Sequence, residues 1–451
     1  MPSSPATTAL ASICPEGWQV LPLADVAYFQ EGPGILAKDF RDSGVPLLRL
    51  KGVEGDYVTL DGCNFLDPEM VARKWSHFRV DVGDLLISTS ASLGRVSVVT
   101  NESAGGVPYT GLIRFRPKDP RLLAGYLKAF LGSAAFVEQA ESMASGSVIR
   151  HFGPSHIRQM AILLPPLDEQ MQIGQLASLL DERLRLLRRT NASLESIAQA
   201  LFKSWFIDFD PVRAKAEGRE PEGMDAATAA LFPAEFEESA LGLIPRGWRA
   251  IPFAETVSIM GGGTPKTSVP EFWGGDIPWF SVVDAPGGGQ VFTMRTEKSI
   301  TSAGVDNSST RVLPAWTTII SARGTVGKLA MTARPMAMNQ SCYGLGPRIP
   351  GTEPFVYLAA QRLVDDLKRL AHGGVFDTIT RDTLSSVSIV QAPPDVQSAV
   401  AAMVKPVFEK IQQGVERISV LTELRDTLLP RLISGKLRLP EAQEQVEEAV
   451  A

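Results

Sequence analysis

Few side chains in this sequence are of a type and spacing that could do chemistry. The four histidines, His77, His151, His156 and His372, form no His-Glu-x-x-His pair. They also make no zinc-like spacing with Cys14, Cys63 and Cys342, so no metal set is expected. His151 and His156 read as surface or core histidines rather than ligands. Three cysteines, odd in number and far apart, suit structural thiols in a reducing compartment. The glycine clusters 261–263 and 287–289 precede no Lys-Ser/Thr at phosphate-loop spacing and form no Gly-x-Gly-x-x-Gly after a strand. The RGTVGK stretch (323–328) has the wrong glycine spacing for such a loop, and no Asn-Pro-Pro-aromatic motif of adenine methylation is present. No catalytic residue, no metal and no cofactor of its own are expected.

What remains suits readout. Lys266 in GGGTPKTS, Arg323, Thr325 and Lys328 in SARGTVGK, and Ser90, Ser92 and Arg95 in SASLGR are small-hydroxyl and basic residues on glycine-rich loops. Such loops let backbone approach a phosphate while Lys and Arg supply charge. Asn339 and Gln340 are amides that can pair with an adenine edge. These nine residues are the candidate DNA contacts, and Arg49, Lys51 and Tyr109 form a weaker set. The competing reading is of ordinary solvated loops.

The elements that would position them occur twice, offset by about 230 residues. PEGWQVLPLADV (15–26) matches PRGWRAIPFAET (245–256), and LLISTSASLGRVSVV (85–99) matches TIISARGTVGKLAM (318–331). Ser88 aligns with Ser321, Gly94 with Gly327 and Arg95 with Lys328. Each copy then reaches Gly-x-Val (146–148, 373–375), an alternating strand, a double proline (165–166, 393–394) and a glutamine, Gln170 or Gln397. Short β-rich runs (45–53, 84–90, 95–100, 276–284, 317–322) precede helical runs (121–133, 354–371), an α+β order.

After each double proline the pattern turns helical, with acids in the first turn. Ile173, Leu180, Leu187, Leu194 and Leu201 recur every seven residues, with Leu176 and Ile197 as companions. The second helix offers Val400, Val407, Leu421 and Leu428, with Val404, Ile411 and Ile418. Two heptad seams predict coiled-coil helices of about 50–60 Å each at 1.5 Å per residue. Antiparallel pairing within the chain is favoured, because Arg183 and Gly414 would interrupt a regular zipper between copies; the alternatives are that each helix lies on its own domain or makes a homodimer seam.

The resulting division is 1–165 and 247–392 as similar domains, 166–206 and 393–439 as long helices, 207–246 as an acidic connector and 440–451 as a frayed tail. The chain has 451 residues, 44% hydrophobic and 21% charged, with net charge -6. Residues 207–246 carry nine acids against four bases, and 441–451 four acids and no base, so the rest is slightly positive. The acidity therefore does not exclude nucleic acid. No apolar run of about 18 residues and no basic leader are present, so a cytoplasmic protein without membrane contact is expected.

The Gly-Trp openings, GGGTPK and FWGGDIPW (261–279), ISARGTVGK (320–328), MNQSCYGL (338–345) and the double proline, glutamine and long helix resemble the specificity subunits of Type I restriction-modification systems. SWFIDFDPVRAK (204–215) and the LFP…LGLIPRGW stretch (231–248) resemble a connector in one branch of that family. The first copy departs from the pattern, with EGPGI (31–35) for the GGTP loop and SASLGR for Gly-Thr-x-Gly.

The resemblance implies two target-recognition domains, each reading one half of a split site in double-stranded DNA, and an antiparallel helix pair setting the gap. It implies a pseudo-two-fold chain docking two methyltransferase subunits, which bind S-adenosylmethionine and flip the adenine. Restriction subunits would add ATP- and Mg-dependent translocation and cleavage. Two other readings are a repeat scaffold binding protein or carbohydrate, and a fragment of a fused restriction-methylation enzyme.

Overall fold

The computed structural model describes residues 10–12, 14–89, 95–143, 152–287, 290–370, 378–442 and 445. The chain divides into two compact units, Met1–Leu184 with Val420–Ala451, and Arg185–Ser419. Both divisions fall inside long helices rather than at the ends of the recognition domains.

In the first unit, strands Ala27–Glu31, Leu112–Pro117, Leu85–Ser88 and Val96–Val98 make an antiparallel sheet in that spatial order. A second sheet orders Phe40–Arg41, Asn64–Leu66, Val45–Leu48 and Val107–Pro108. Its last pair is parallel, Leu47 against Val107 and Leu48 against Pro108. The run read as one strand over 45–53 stops at Leu48, and Leu50–Val53 turns as a 3-10 helix. Gln19–Pro22 pairs with Ala161–Leu164, so the domain's beginning and end are hydrogen-bonded together.

The second unit repeats the plan. Val257–Gly261, Cys342–Pro347, Thr318–Ser321, Leu329–Thr332 and Phe292–Thr293 form one sheet. Lys298–Ile300, Trp273–Phe280 and Ala337–Met338 form another. Arg249–Pro252 pairs with Ser388–Gln391 to close the domain. Identical turns begin the two copies. Gly17 and Gly247 both sit at φ 82°, and the Trp18 and Trp248 amides donate to Pro15 O and Pro245 O at 3.1 and 3.0 Å. Only glycine adopts that backbone without strain.

The glutamine after each double proline joins strand to helix. Gln170 Nε2 donates to Pro165 O (2.8 Å) and Arg121 O (2.7 Å), and Gln397 Nε2 donates to Ala392 O (2.7 Å). Both glutamines are buried, so these bonds satisfy amides that would otherwise be costly to bury.

The long helices, Leu167–Phe206 and Pro394–Ile433, each have 40 residues and run antiparallel. Within the first unit, Asp181 faces Arg425 at 3.6 Å and Glu169 faces Arg438 at 3.7 Å. Within the second, Asn191 Nδ2 donates to Ile411 O at 3.3 Å. Ile173 and Leu180 are 1% and 2% exposed, but Leu187, Leu194 and Leu201 are half-buried. The continuous buried column is Ala177, Leu184, Asn191, Ala198 and Trp205, and Ile197 stands 59% exposed. A straight helix drifts about 20° per heptad from a seven-residue repeat, which carries the stripe from one column to the next. On the second helix Ile411, Ile418, Leu421 and Leu428 are buried and Val407 is half-buried.

The acidic connector, residues 207–246, carries short elements of its own. Asp210–Ala216 and Ala226–Ala230 are helical, and Phe236–Ser239 pairs with Gly242–Pro245. Phe209, Phe232 and Trp248 enter an aromatic cluster with Trp205 and Phe206, where apolar burial outweighs the local acidity. Of the expected frayed tail, residues 440–442 and 445 are described, and Ala442 is buried.

Candidate nucleic-acid interface

In the second unit the strand Val257–Gly261 runs into the glycine loop. A Cβ on Gly262 would overlap the carbonyl oxygen of Asn339, and one on Gly263 would overlap Ser309 and Thr310. The loop is glycine because it lies directly on another backbone. Gly263 N donates to Met338 O (3.0 Å), and Trp279 Nε1 donates to Gly263 O (2.9 Å). The Thr264 hydroxyl donates to the Gln340 side-chain oxygen.

The facing turn is set by its own bonds. Asn339 N donates to Phe280 O (2.9 Å), and its Oδ1 accepts from Ser341 N (3.0 Å). Ala322 N donates to Ser341 O at 2.7 Å, which brings in the third loop. Lys266, Arg323, Asn339 and Gln340 thus lie on three loops bonded to one another. Lys266, Arg323, Thr325 and Gln340 are exposed and Asn339 is half-buried.

The SARGTVGK loop closes around a serine. Ser321 Oγ donates to Thr325 O (2.5 Å) and accepts from Lys328 N (2.8 Å). Gly324 and Gly327 adopt φ of 77° and 80°. This is a tight hairpin, not a phosphate-wrapping loop. The exposed Lys328 lines a cleft of about 460 Å³ with Glu195, Tyr357, Gln361 and Lys368, which the Asn339–Gln340 turn does not line.

The first unit repeats two of these backbone bonds and the close glycine approach, while Pro33, which has no N–H, stands where Gly263 donates. A Cβ on Gly32 would overlap Pro108 O, Tyr109 N donates to Leu48 O (3.0 Å), and Thr89 N donates to Gly111 O (2.9 Å). Tyr109 therefore takes the place of Asn339. Arg95 is exposed beside the strand Val96–Val98, and Lys51 is exposed. Ser90 and Ser92 lie outside the described residues, as do His151, His372 and both Gly-x-Val segments. What the one-dimensional reading underrated is Arg49, half-buried at the end of its strand. The signal was present as the register that puts it after Leu48, as Ser281 follows Phe280.

Other polar groups are structural. His156 Nδ1 accepts from Gly153 N at 3.0 Å, capping a short helix. Arg114 is buried and donates to Gln30 Oε1 (2.6 Å) and Tyr28 OH (3.2 Å). Burial, with the Asp284 charge adding to it, pushes the Cys342 thiol up to about 12, and burial also raises Cys63. Raised thiols are poor nucleophiles at neutral pH. Among the described residues no group of three His, Cys, Asp or Glu is placed to hold a metal.

Comparison with known proteins places two matches on the two copies. The family model described as the Type I restriction modification DNA specificity domain matches residues 15–196 and 245–422. The specificity subunit of the Type I restriction enzyme HindI of Haemophilus influenzae is 29% identical over 399 residues, covering 79% of this chain and 86% of its own. A putative specificity subunit, MjaX of Methanocaldococcus jannaschii, is 20% identical over 437 residues, covering 94% and 95%. The crystal structure of a Type I restriction-modification S subunit from M. genitalium shares the fold, with TM-score 0.50, 16% identity and coverage of 92% and 96%.

Proposed function

Because the chain belongs to the Type I restriction-modification DNA specificity family, we propose that its two recognition units each read one half of a split DNA target. It is a specificity subunit, not a catalytic one, and it acts with DNA as part of a restriction-modification complex. The observation that carries the finer reading is the duplicated loop cluster. In each copy a glycine passes against a turn, and a third loop is bonded to that turn, with basic side chains nearby and, in the second copy, the Asn339 and Gln340 amides on the turn.

Lys266, Arg323, Thr325, Lys328 and Arg95 supply phosphate contact and orientation, with Ser90 and Ser92 as their first-copy hydroxyl counterparts, while Gln340 and Asn339 offer amide edges to bases. The antiparallel helices act as the spacer between the half-sites, much as dimer geometry sets half-site separation in other binders. Two methyltransferase subunits dock on the repeated halves. S-adenosylmethionine, ATP and Mg belong to those and to restriction subunits, and this chain takes no cofactor. The complex works in the cytoplasm, which three free cysteines favour; no helix among the described residues is long and apolar enough to cross a membrane. No particular observation favours a protein- or carbohydrate-binding scaffold.

The test is methylation mapping by single-molecule sequencing, with the chain co-expressed beside its neighbouring methyltransferase and a control lacking it. Adenine methylation at one bipartite motif, dependent on this chain, is the expected result. Methylation without the chain, or none despite a stable complex, would refute the proposal.

A further inference from the structure

The two copies place different chemistry at the same point of the same fold. Tyr109 N bonds to Leu48 O as Asn339 N bonds to Phe280 O, so Tyr109 corresponds to Asn339 and Arg49 to Ser281. In the second copy Ser281 turns inward: its amide and hydroxyl both donate to Asp284 Oδ2, at 2.8 and 3.0 Å. In the first copy the Arg49 guanidinium lies 4.2 Å from the Tyr109 ring centroid and 5.6 Å from that of Phe40. The two rings meet edge to face, with centroids 6.5 Å apart at 75°.

Arg49 makes no ion pair among the described residues, and its Nη1 is buried without a hydrogen-bond partner. Arg116, by contrast, is paired with Asp81 and Asp84 at 3.0 and 2.5 Å. An aromatic pair that holds a guanidinium plane fixes the direction of the donors that stay accessible on this half-buried residue. A guanidinium fork fits a phosphate as well as a base edge, but charge alone suffices to hold a phosphate, and exposed Lys51 in the same segment already supplies charge. A fixed fork is what the paired acceptors of a guanine edge require.

We propose that Arg49 reads a guanine in one half of the target, donating to O6 and N7 in the major groove while Tyr109 and Phe40 hold its plane. The two halves are then read by different means, a stacked arginine in the first copy and amide side chains in the second. The inference rests on the DNA-specificity reading above.

The test uses the full chain in complex with its methyltransferase. Bound duplexes are selected from a library randomised in both halves and then sequenced. The wild-type chain must yield a two-part consensus; if it yields none, the DNA-specificity reading fails and takes this inference with it. Arg49→Gln should cut the preference for guanine at one position by about 10- to 100-fold and leave the other half unchanged. Arg49→Lys, which keeps the charge but not the stacked plane, should weaken that preference while retaining the salt dependence of binding. Tyr109→Phe should keep it. An unchanged consensus in both arginine variants would overturn the proposal. So would uniform weakening with the same consensus, the mark of a phosphate contact. Loss of both halves together in both variants would overturn it too, by making Arg49 a packing residue.

Discussion

At Gly262 a single methyl group would be enough to disturb recognition, because it would overlap the Asn339 carbonyl, which is backbone and cannot swing away. Gly262→Ala should therefore push the glycine loop off the turn that carries Gln340. The expected outcome is loss of specificity in one half of the methylated motif with the other half intact, read by motif mapping; Gly32→Ala should mirror it in the other half. Cys342 sits in the sheet behind the same turn, buried, with its thiol raised to about 12. At pH 8 only about one molecule in ten thousand carries the reactive thiolate. Iodoacetamide followed by peptide mass spectrometry should leave Cys342 unmodified in the folded protein and label it fully in urea; labelling at equal rates in both would contradict the burial. The glycine loops were readable beforehand because Gly, Lys and hydroxyl residues cluster in sequence. Arg49 stands only in the weaker set, since its neighbours at the site, Phe40 and Tyr109, are brought to it by strand pairing.

Between the long helices, the least replaceable contact is polar. Asn191 is 1% exposed and bonds to Ile411 O, and a Cβ on Gly414 would overlap its side-chain amide. Gly414→Ala should cost about 1–3 kcal/mol by overpacking, even though alanine is the better helix former. Adding Asn191→Ala removes the overlap, so the double variant should be more stable than the sum of the two single effects implies. Urea midpoints of the four proteins test this; strict additivity would mean the two residues do not meet. Gly414 was noticed in the sequence as a break in the zipper, and the structure turns that break into the seat of an asparagine. Both helices were legible because leucine, isoleucine and valine recur every seven residues. The second column was hidden because it alternates Ala177, Leu184, Asn191, Ala198 and Trp205, types that no apolar pattern groups together. The packing of the 207–246 segment is hidden from the sequence for a related reason. Its acids dominate the composition, while its structure is decided by a few aromatic residues whose partners lie elsewhere in the chain.

For the molecule as a whole, the proposed spacer role makes helix length a property of the recognised site. Four residues inserted near Arg188 add about 6 Å of helix, close to two base-pair steps at about 3.4 Å each. The gap between half-sites should lengthen, or the complex should fail to assemble; normal activity at unchanged spacing would sink the spacer role. Exchange of a domain asks the complementary question. The ends of 247–390 lie on paired strands, Arg249–Pro252 against Ser388–Gln391, so the segment begins and ends at one place. A relative's segment can be joined there provided it keeps the packing partners of Phe202 and Phe206, among them Phe355. The first unit's loops, including Gly32, Arg49 and Tyr109, are untouched by the exchange. Methylation mapping of the hybrid should show one half of the motif replaced and the other retained. If both halves changed, the loop clusters could not be reading DNA independently, and the duplication would have to serve assembly instead.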